Sequence, residues 1–223
     1  MDQIIQLFLN PAVVARFWPF LLHGLGTTLA LSLVVVPAGL AGGLVVALLY
    51  NAHRRPLSWL VTAYVDFFRA FPPLVLLLFL YGGLPFLGVD LPLFGTVALA
   101  FLLNTSSYYG EIFRAGIESI PRGQTEAARS TGLSAWQTLC WVILPQAVRN
   151  VLPDLIGNTV EVIKLTTLAS VVGFTELLNN ARNAQALTYN ATPVVVAALL
   201  YLALLWPLVR LLSRLEHKSI AVR

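Results

Sequence analysis

Polar and ionisable residues recur at helical spacing inside one long apolar stretch of the sequence. Asn104, Tyr108 and Glu111 follow one another at intervals of four and three residues, which places them on one face of a helix. The run NTSSYY at 104–109 is unusual for a helix surrounded by lipid. Amide, hydroxyl and carboxylate groups on one face would bind a polar solute. Alternatively, they join packed helices, as small polar residues commonly do in membranes.

A second polar group lies in a later apolar stretch. Asn158, Glu161 and Lys164 follow at intervals of three residues. The carboxylate would attract an ammonium group or a cationic side chain, and the lysine would attract a carboxylate. The two polar faces would then line a pathway for a zwitterionic solute. An ion pair between Glu161 and Lys164 within one helix is the structural alternative, and both interpretations stay open.

The sequence lacks the residue sets typical of a catalytic centre. His23, His53 and His217 do not share a depth with a serine and a carboxylate, and they lack the spacing of metal ligands. The single Cys140 excludes a cysteine-rich metal site. No GxxxxGK[ST] loop is present to bind phosphates. We therefore expect no catalytic residue, no metal site and no cofactor bound by this chain, and an intramembrane enzyme is the weaker alternative.

The composition is that of an integral membrane protein. Hydrophobic residues make up 58% of the chain and charged residues only 11%, whereas soluble domains carry about 25% charged residues. So few charges do not cover a water-facing surface. The net charge of +4 is small, and no basic face remains to bind nucleic acid.

Five apolar stretches are long enough to cross a bilayer, which requires ~20 residues. Pro37 lies inside the first, and the FPP at 71–73 interrupts the second. Five helices without an internal repeat predict one all-α integral membrane domain over residues 1–223. The lack of a repeat argues against a secondary transporter, the other alternative function. The predicted spans cover residues 19–50, 57–84, 91–113, 151–174 and 193–212.

Basic residues cluster on one side of the predicted membrane. Only Arg16 and Arg182 fall on the opposite side. The positive-inside rule therefore predicts an external N-terminus and a cytoplasmic C-terminus, in agreement with an odd number of spans. The ten residues predicted to be cytoplasmic are Arg54, Arg55, Arg114, Arg122, Arg129, Arg149, Arg210, Arg214, Lys218 and Arg223.

The 114–150 loop, predicted to be cytoplasmic, contains signals for a short helix. Thr125 is predicted to cap a helix over residues 126–130. Glu126 would lie in its first turn, where the helix dipole favours a carboxylate. Gly132 is predicted to end the helix in the left-handed conformation. These signals alone favour an ordinary helical loop.

A second short helix is predicted immediately afterwards in the same loop. Ser134 and Gln137 have the spacing of a capping box. Pro145 is predicted to break this helix before the fourth span.

Several stretches, in order, resemble binding-protein-dependent ABC importer permeases. GQTEAARSTGLSAWQTLCWVILPQAVR at 123–149 is similar to the EAA loop of that family. FFRAFPPLVLLLFLYGGLP at 67–85 resembles the second-span motif of its polar amino-acid subfamily. Similar segments are LLHGLGTTLALS at 21–32, YYGEIFRAGIESIPRGQ at 108–124 and VIKLTTLASVVGFTEL at 162–177.

The resemblance implies the fold and partners of a type I ABC importer permease. Two permease subunits, of the same or related chains, would pair in the inner membrane of a bacterial cell. Two cytoplasmic ATPase subunits would use ATP and Mg, while this chain would translocate an amino acid. A substrate-binding protein would dock outside on the 82–92 and 175–192 loops and the N-terminus.

The resemblance also implies a coupling helix that docks on the ATPase. Glu126 would meet a basic residue there, and Gly132 would give the turn. Where many relatives carry an acidic residue after the lysine, this sequence has Leu165, which leaves Glu161 as the mid-depth carboxylate of the fourth span and favours a polar or basic amino acid. The implied coupling positions are Gly123, Gln124, Glu126, Ala127, Ala128 and Gly132.

Overall fold

The computed structural model describes residues 6–52 and 55–220, with side chains up to residue 214, and its regular elements in those ranges are all helical. His53, Arg54 and Arg223 lie outside the described residues, as do the side chains of His217 and Lys218. The α-helices of seven or more residues are α1 Pro11–Asn51, α2 Arg55–Ala70, α3 Pro73–Gly83, α4 Leu93–Glu118, α5 Arg122–Ser130, α6 Leu144–Asn150, α7 Leu152–Leu165, α8 Leu177–Thr188 and α9 Thr192–Ile220.

Three helical stretches of the described chain are long and apolar enough to cross a membrane: Gln6–Asn51, Leu152–Val172 and Thr192–Arg214. A fourth crossing results if the interrupted pair α2 and α3 counts as one span. The predicted third span, 91–113, is helical from Leu93 onward as part of α4, but its polar run lowers its mean hydropathy. The described residues thus confirm the predicted all-helical fold with three or four candidate membrane spans, while the number five stays a prediction.

The prolines have different effects in the first two predicted spans. α1 continues through Pro37 without interruption. By contrast, α2 ends at Ala70 and α3 begins at Pro73, which confirms the predicted break. Proline disfavours the helical conformation of the residue before it, whereas proline itself suits the first position of a new helix.

The first of two compact units comprises Met1–Val36, Pro73–Phe101 and Val160–Arg210. Leu21 from α1, Leu177 and Ala181 from α8 and Ala197 from α9 form a buried core. The Asn180 side chain donates to the Phe20 carbonyl at 2.9 Å. The predicted 175–192 loop is therefore mostly a helix, α8, which is anchored on α1.

The second unit comprises Pro37–Pro72, Leu102–Thr159 and Leu211–Arg223. Here α1 and α4 pack closely through small residues: the side of Gly39 faces Thr105, and that of Gly43 faces Tyr109. A step of four residues along α1, from Gly39 to Gly43, moves the contact four residues along α4, from Thr105 to Tyr109. The two helices therefore run parallel. Such close approach through small residues is typical of membrane helices.

Candidate functional site

Helix α5 forms the short helix predicted in the 114–150 loop, but it starts earlier than predicted. It runs from Arg122 to Ser130, with Pro121 at the N-cap position. Thr125 is therefore inside the helix rather than its cap, and Glu126 lies beyond the first turn, so both predictions were wrong. Pro121 suits the start of a helix because its ring fixes φ near the helical value. It also has no N–H group that would be left without an acceptor there.

The turns after α5 agree with the sequence. Gly132 has a φ of +90°, a conformation that glycine adopts without steric cost, so the predicted stop is confirmed. The capping box is confirmed as well: the Gln137 side chain accepts from the Ser134 N–H at 2.8 Å, and the Ser134 hydroxyl accepts from the Gln137 N–H at 3.2 Å. These turns hold α5 against the following segment Thr138–Ile143.

The prediction for Pro145 was wrong, because the chain stays helical past it to Asn150. A π-helical stretch, Thr138–Ile143, precedes the proline. Proline has no N–H to donate to the carbonyl four residues earlier, and a local π-bulge accommodates such a break in the hydrogen-bond ladder. The interruption lies instead at Val151, before α7.

The two faces of α5 have different surroundings. Ala128 is only 8% exposed, so it packs inside its own chain. Arg122, Thr125 and Arg129 line an open groove of about 560 Å³. Helical spacing puts Gly123, Glu126 and Ala127 on the remaining face, where all three are exposed. Gln124 and Gly132 are exposed too, and the Gln124 side chain accepts from Gln146 at 3.4 Å.

The polar face of α4 packs mainly against α2. The buried Asn104 side chain donates to the Phe68 carbonyl at 3.0 Å, which favours the structural interpretation for this residue. The Tyr108 hydroxyl donates to the Arg69 carbonyl at 3.4 Å, and the Arg69 guanidinium lies 5.6 Å from the Tyr108 ring centre. Tyr108 is partly exposed.

Glu111 belongs to a row of alternating charges. Arg114 donates from Nε to Glu111 at 3.0 Å and from Nη1 to Glu118 at 2.6 Å. Arg69 Nη1 lies 3.8 Å from Glu111 Oε1. Asp66 and Arg69 lie about one helical turn apart on α2, but their charged groups are not paired within 4.0 Å. Arg69 instead faces Glu111, because α4 brings that carboxylate alongside α2.

The polar residues of α7 fall into both units. In the first unit, Lys164 donates to Glu161, which confirms the predicted pair within the helix. Both side chains are also well exposed, Lys164 at 49% and Glu161 at 66%, and are therefore accessible from outside the chain. In the second unit, the Asn158 Nδ2 is buried without a hydrogen-bond partner among the described residues.

The sequence reasoning missed a buried carboxylate in the first unit. Glu176 is fully buried and caps α8, accepting from the N–H groups of Leu178 at 2.8 Å and Asn179 at 2.6 Å. The Tyr201 hydroxyl donates to it at 2.7 Å, and the Leu177 N–H donates to Thr28 of α1 at 3.1 Å. Glutamate is not a preferred N-cap residue, so no strong local signal marks this position.

Burial raises the pKa of the Glu176 carboxyl above its ordinary 4.5, although hydrogen bonds from Tyr201, Leu178 and Asn179 lower it. The folded chain therefore holds this proton more tightly than the unfolded chain. The stability from this group is complete below pH 4.5 and is lost as pH rises through the folded pKa. We expect thermal unfolding of the solubilised chain to occur at lower temperature over that rise, and Glu176→Gln to remove this component. An identical pH profile in both proteins would contradict it.

Family comparison finds a match over most of the chain. Residues 39–220 match the family described as binding-protein-dependent transport system inner membrane component. The chain is 35% identical to the probable amino-acid ABC transporter permease YckA of Bacillus subtilis, covering 87% of each chain. It is 34% identical to the arginine transport permease ArtQ of the same organism, covering 90% of this chain and 92% of ArtQ. It is also 36% identical to the L-cystine permease TcyB, covering 92% and 87%.

Solved structures match over a similar extent. The crystal structure of an amino acid ABC transporter with histidines superposes with a TM-score of 0.83 at 34% identity, covering 92% of this chain and 96% of that one. An inward-facing structure of the MetNI methionine ABC transporter gives a TM-score of 0.77 at 21% identity, covering 91% and 97%. The second match concerns the fold alone.

Proposed function

The chain belongs to the family of binding-protein-dependent transport system inner membrane components, and from that premise we propose its function in detail. It is the permease subunit of an ABC importer for amino acids. The observation that carries this conclusion is the match to amino-acid permeases over about nine-tenths of the chain. It is a translocation subunit in a multi-pass inner-membrane protein family.

Five spans are proposed, with the N-terminus outside and the C-terminus in the cytoplasm. α4 supplies the third of these spans, because its polar residues Asn104–Ser107 are buried and do not face lipid. The ten-to-two distribution of basic residues supports the orientation. The parallel packing of α1 and α4 in the second unit supports the span count instead, since the first and third of consecutive spans must cross in the same direction.

ATP binding is assigned to partner subunits. Two permease subunits, two cytoplasmic ATPases and an external binding protein form the proposed complex. The ATPases use ATP and Mg, and this chain binds no cofactor. Their closure changes the permease pair between inward- and outward-facing states by rigid-body movement.

The coupling helix is α5, and its exposed face is the proposed contact with the ATPase. Gly123, Glu126 and Ala127 form that face. Ala128, which packs within its own chain, supports the helix from behind, and Gly132 sets the turn that follows. Gln124 is tied to Gln146 and orients the helix rather than docking directly.

The solute is proposed to be a polar or basic amino acid. Glu161 is a well-exposed carboxylate on α7, which suits a cationic group. Relatives carry names that refer to arginine, glutamine and cystine. Tyr108, Glu111, Asn158 and Lys164 are the further candidates along the pathway, whereas the bonded and buried Asn104 is the weakest.

Glu126→Lys tests coupling in the complex of this chain with its ATPase and binding protein in proteoliposomes. Like charges in a contact cost several kcal/mol, so we expect amino-acid-stimulated ATP hydrolysis to fall by roughly tenfold or more. Asp154→Lys, which reverses an exposed carboxylate at the start of α7, is the matched control and should retain stimulation. Unchanged stimulation with Glu126→Lys would refute the docking contact, whereas a wild-type complex that no amino acid stimulates would refute the function.

A further inference from the structure

A cavity of about 200 Å³ lies in the second unit beside the ends of α1 and α4. Its apolar wall includes Val46, Val61 and Val65, and its polar wall carries Asp66, Arg69 and Glu111. Tyr50 and Arg114 also line it, with the guanidinium 5.3 Å from the tyrosine ring centre. Its volume suits a small solute rather than a peptide.

The charges around the cavity do not all neutralise one another. Glu111, Arg114 and Glu118 are joined by short hydrogen bonds. Asp66 has no hydrogen bond or ion pair within the described residues. Arg69 is joined to Glu111 only by a 3.8 Å contact, longer than a hydrogen bond, so its guanidinium retains donors for a further carboxylate.

Asp66 and Arg69 form the unusual feature of this wall. They are three residues apart on α2 and therefore share a face, yet they are not paired within 4.0 Å. A carboxylate and a guanidinium that share one helix face without pairing are complementary in charge to the α-ammonium and α-carboxylate of a free amino acid. A simple cation would be attracted to Asp66 but repelled by Arg69.

We propose that Asp66 and Arg69 form a subsite that binds the α-ammonium and α-carboxylate groups of a free amino acid at the inner end of the pathway. This inference rests on the proposed function, which sets the orientation. Tyr50 and Arg114 lie near the ends of α1 and α4, and in that orientation both ends are cytoplasmic. The amino acid would occupy this subsite as it leaves the permease. The Asp66 and Arg69 side chains are both exposed, so a site of this kind binds weakly, which suits release.

Cysteine protection tests occupancy directly, without relying on transport. Cys140 is the single cysteine, so Cys140→Ser gives a background for Thr62→Cys, which lines the cavity. We expect L-arginine and L-glutamine each to slow maleimide labelling of the purified complex by about twofold or more, once over half of the sites are filled. Agmatine, which lacks the carboxylate, should protect much less.

Two variants and one control position make the test specific. Asp66→Asn and Arg69→Gln should each remove the protection, whereas Asp154→Asn, outside the cavity, should keep it. Ala115→Cys, exposed on α4 but not lining the cavity, should label at the same rate with or without amino acid.

The subsite is refuted by three results: no protection by either amino acid, equal protection by agmatine, or protection that survives both charge variants. Amino-acid-stimulated ATP hydrolysis by the wild-type complex is measured alongside. Stimulation without protection refutes the subsite alone, and a complex that no amino acid stimulates refutes the proposed function.

Discussion

Glu176→Ala is expected to destabilise the protein by about 3 kcal/mol or more. The substitution leaves the N–H groups of Leu178 and Asn179 and the hydroxyl of Tyr201 without their acceptor. A buried donor that loses its partner costs ~1–3 kcal/mol because it is no longer solvated either. Thermal unfolding of the detergent-solubilised chain should therefore shift downward by roughly 6 °C or more.

Two companion variants separate the lost hydrogen bonds from the lost charge. Tyr201→Phe removes one donor and leaves the two backbone bonds to Glu176, so it should cost about 1 kcal/mol. Asp90→Ala removes an exposed carboxylate and should leave the unfolding temperature nearly unchanged. If Glu176→Ala unfolded at no lower temperature than Asp90→Ala, the Glu176 carboxylate would not be holding α8 in place.

Features that depend on neighbours in sequence were the ones that could be predicted. The Ser134–Gln137 capping box and the left-handed Gly132 depend on a few adjacent residues, and both are present. The ion pair of Glu161 with Lys164 lies within one helix and was predicted for the same reason. Long apolar runs likewise predicted the three helical stretches that are long and apolar enough to cross a membrane, since length and composition suffice to predict such helices.

Competing local signals account for the errors in the 114–150 loop. Thr125 has the side chain of a helix cap, but Pro121 four residues earlier already starts α5. Pro145 is a helix breaker by type, yet the preceding π-helical segment absorbs the missing hydrogen bond. In both cases the residue type favours the predicted structure, but a neighbouring segment determines the structure that forms.

Contacts between distant segments could not be predicted from local spacing. Asp66 and Arg69 have ideal spacing for a pair, but Arg69 meets Glu111, which lies 42 residues later. Glu176 looks like one acidic residue in a connecting segment, and only the fold buries it beneath Tyr201. Both the proposed amino-acid subsite and the buried carboxylate therefore emerged from the structure.

Gly43→Ala should destabilise the second unit by about 2 kcal/mol or more, because α1 and α4 have no space for a methyl group there. A Cβ at Gly43 would lie 2.4 Å from the Tyr109 Cβ and 2.7 Å from the Gly110 nitrogen. Neither atom belongs to a flexible side-chain end, so relief requires the helices to move apart. Reduced yield of folded protein and a lower unfolding temperature in detergent would be the measured result.

Gly26→Ala is the matched control for this packing, since it makes the same change in the same helix. A Cβ at Gly26 meets no atom within 4 Å, and alanine favours a helix over glycine by about 1 kcal/mol. The control should thus be neutral or slightly stabilising while Gly43→Ala loses stability. If both variants unfolded at the same temperature, the close contact of α1 with α4 would not be a determinant of stability. A lower unfolding temperature for Gly43→Ala together with a higher one for Gly26→Ala would show that the parallel packing of α1 and α4 requires glycine at position 43.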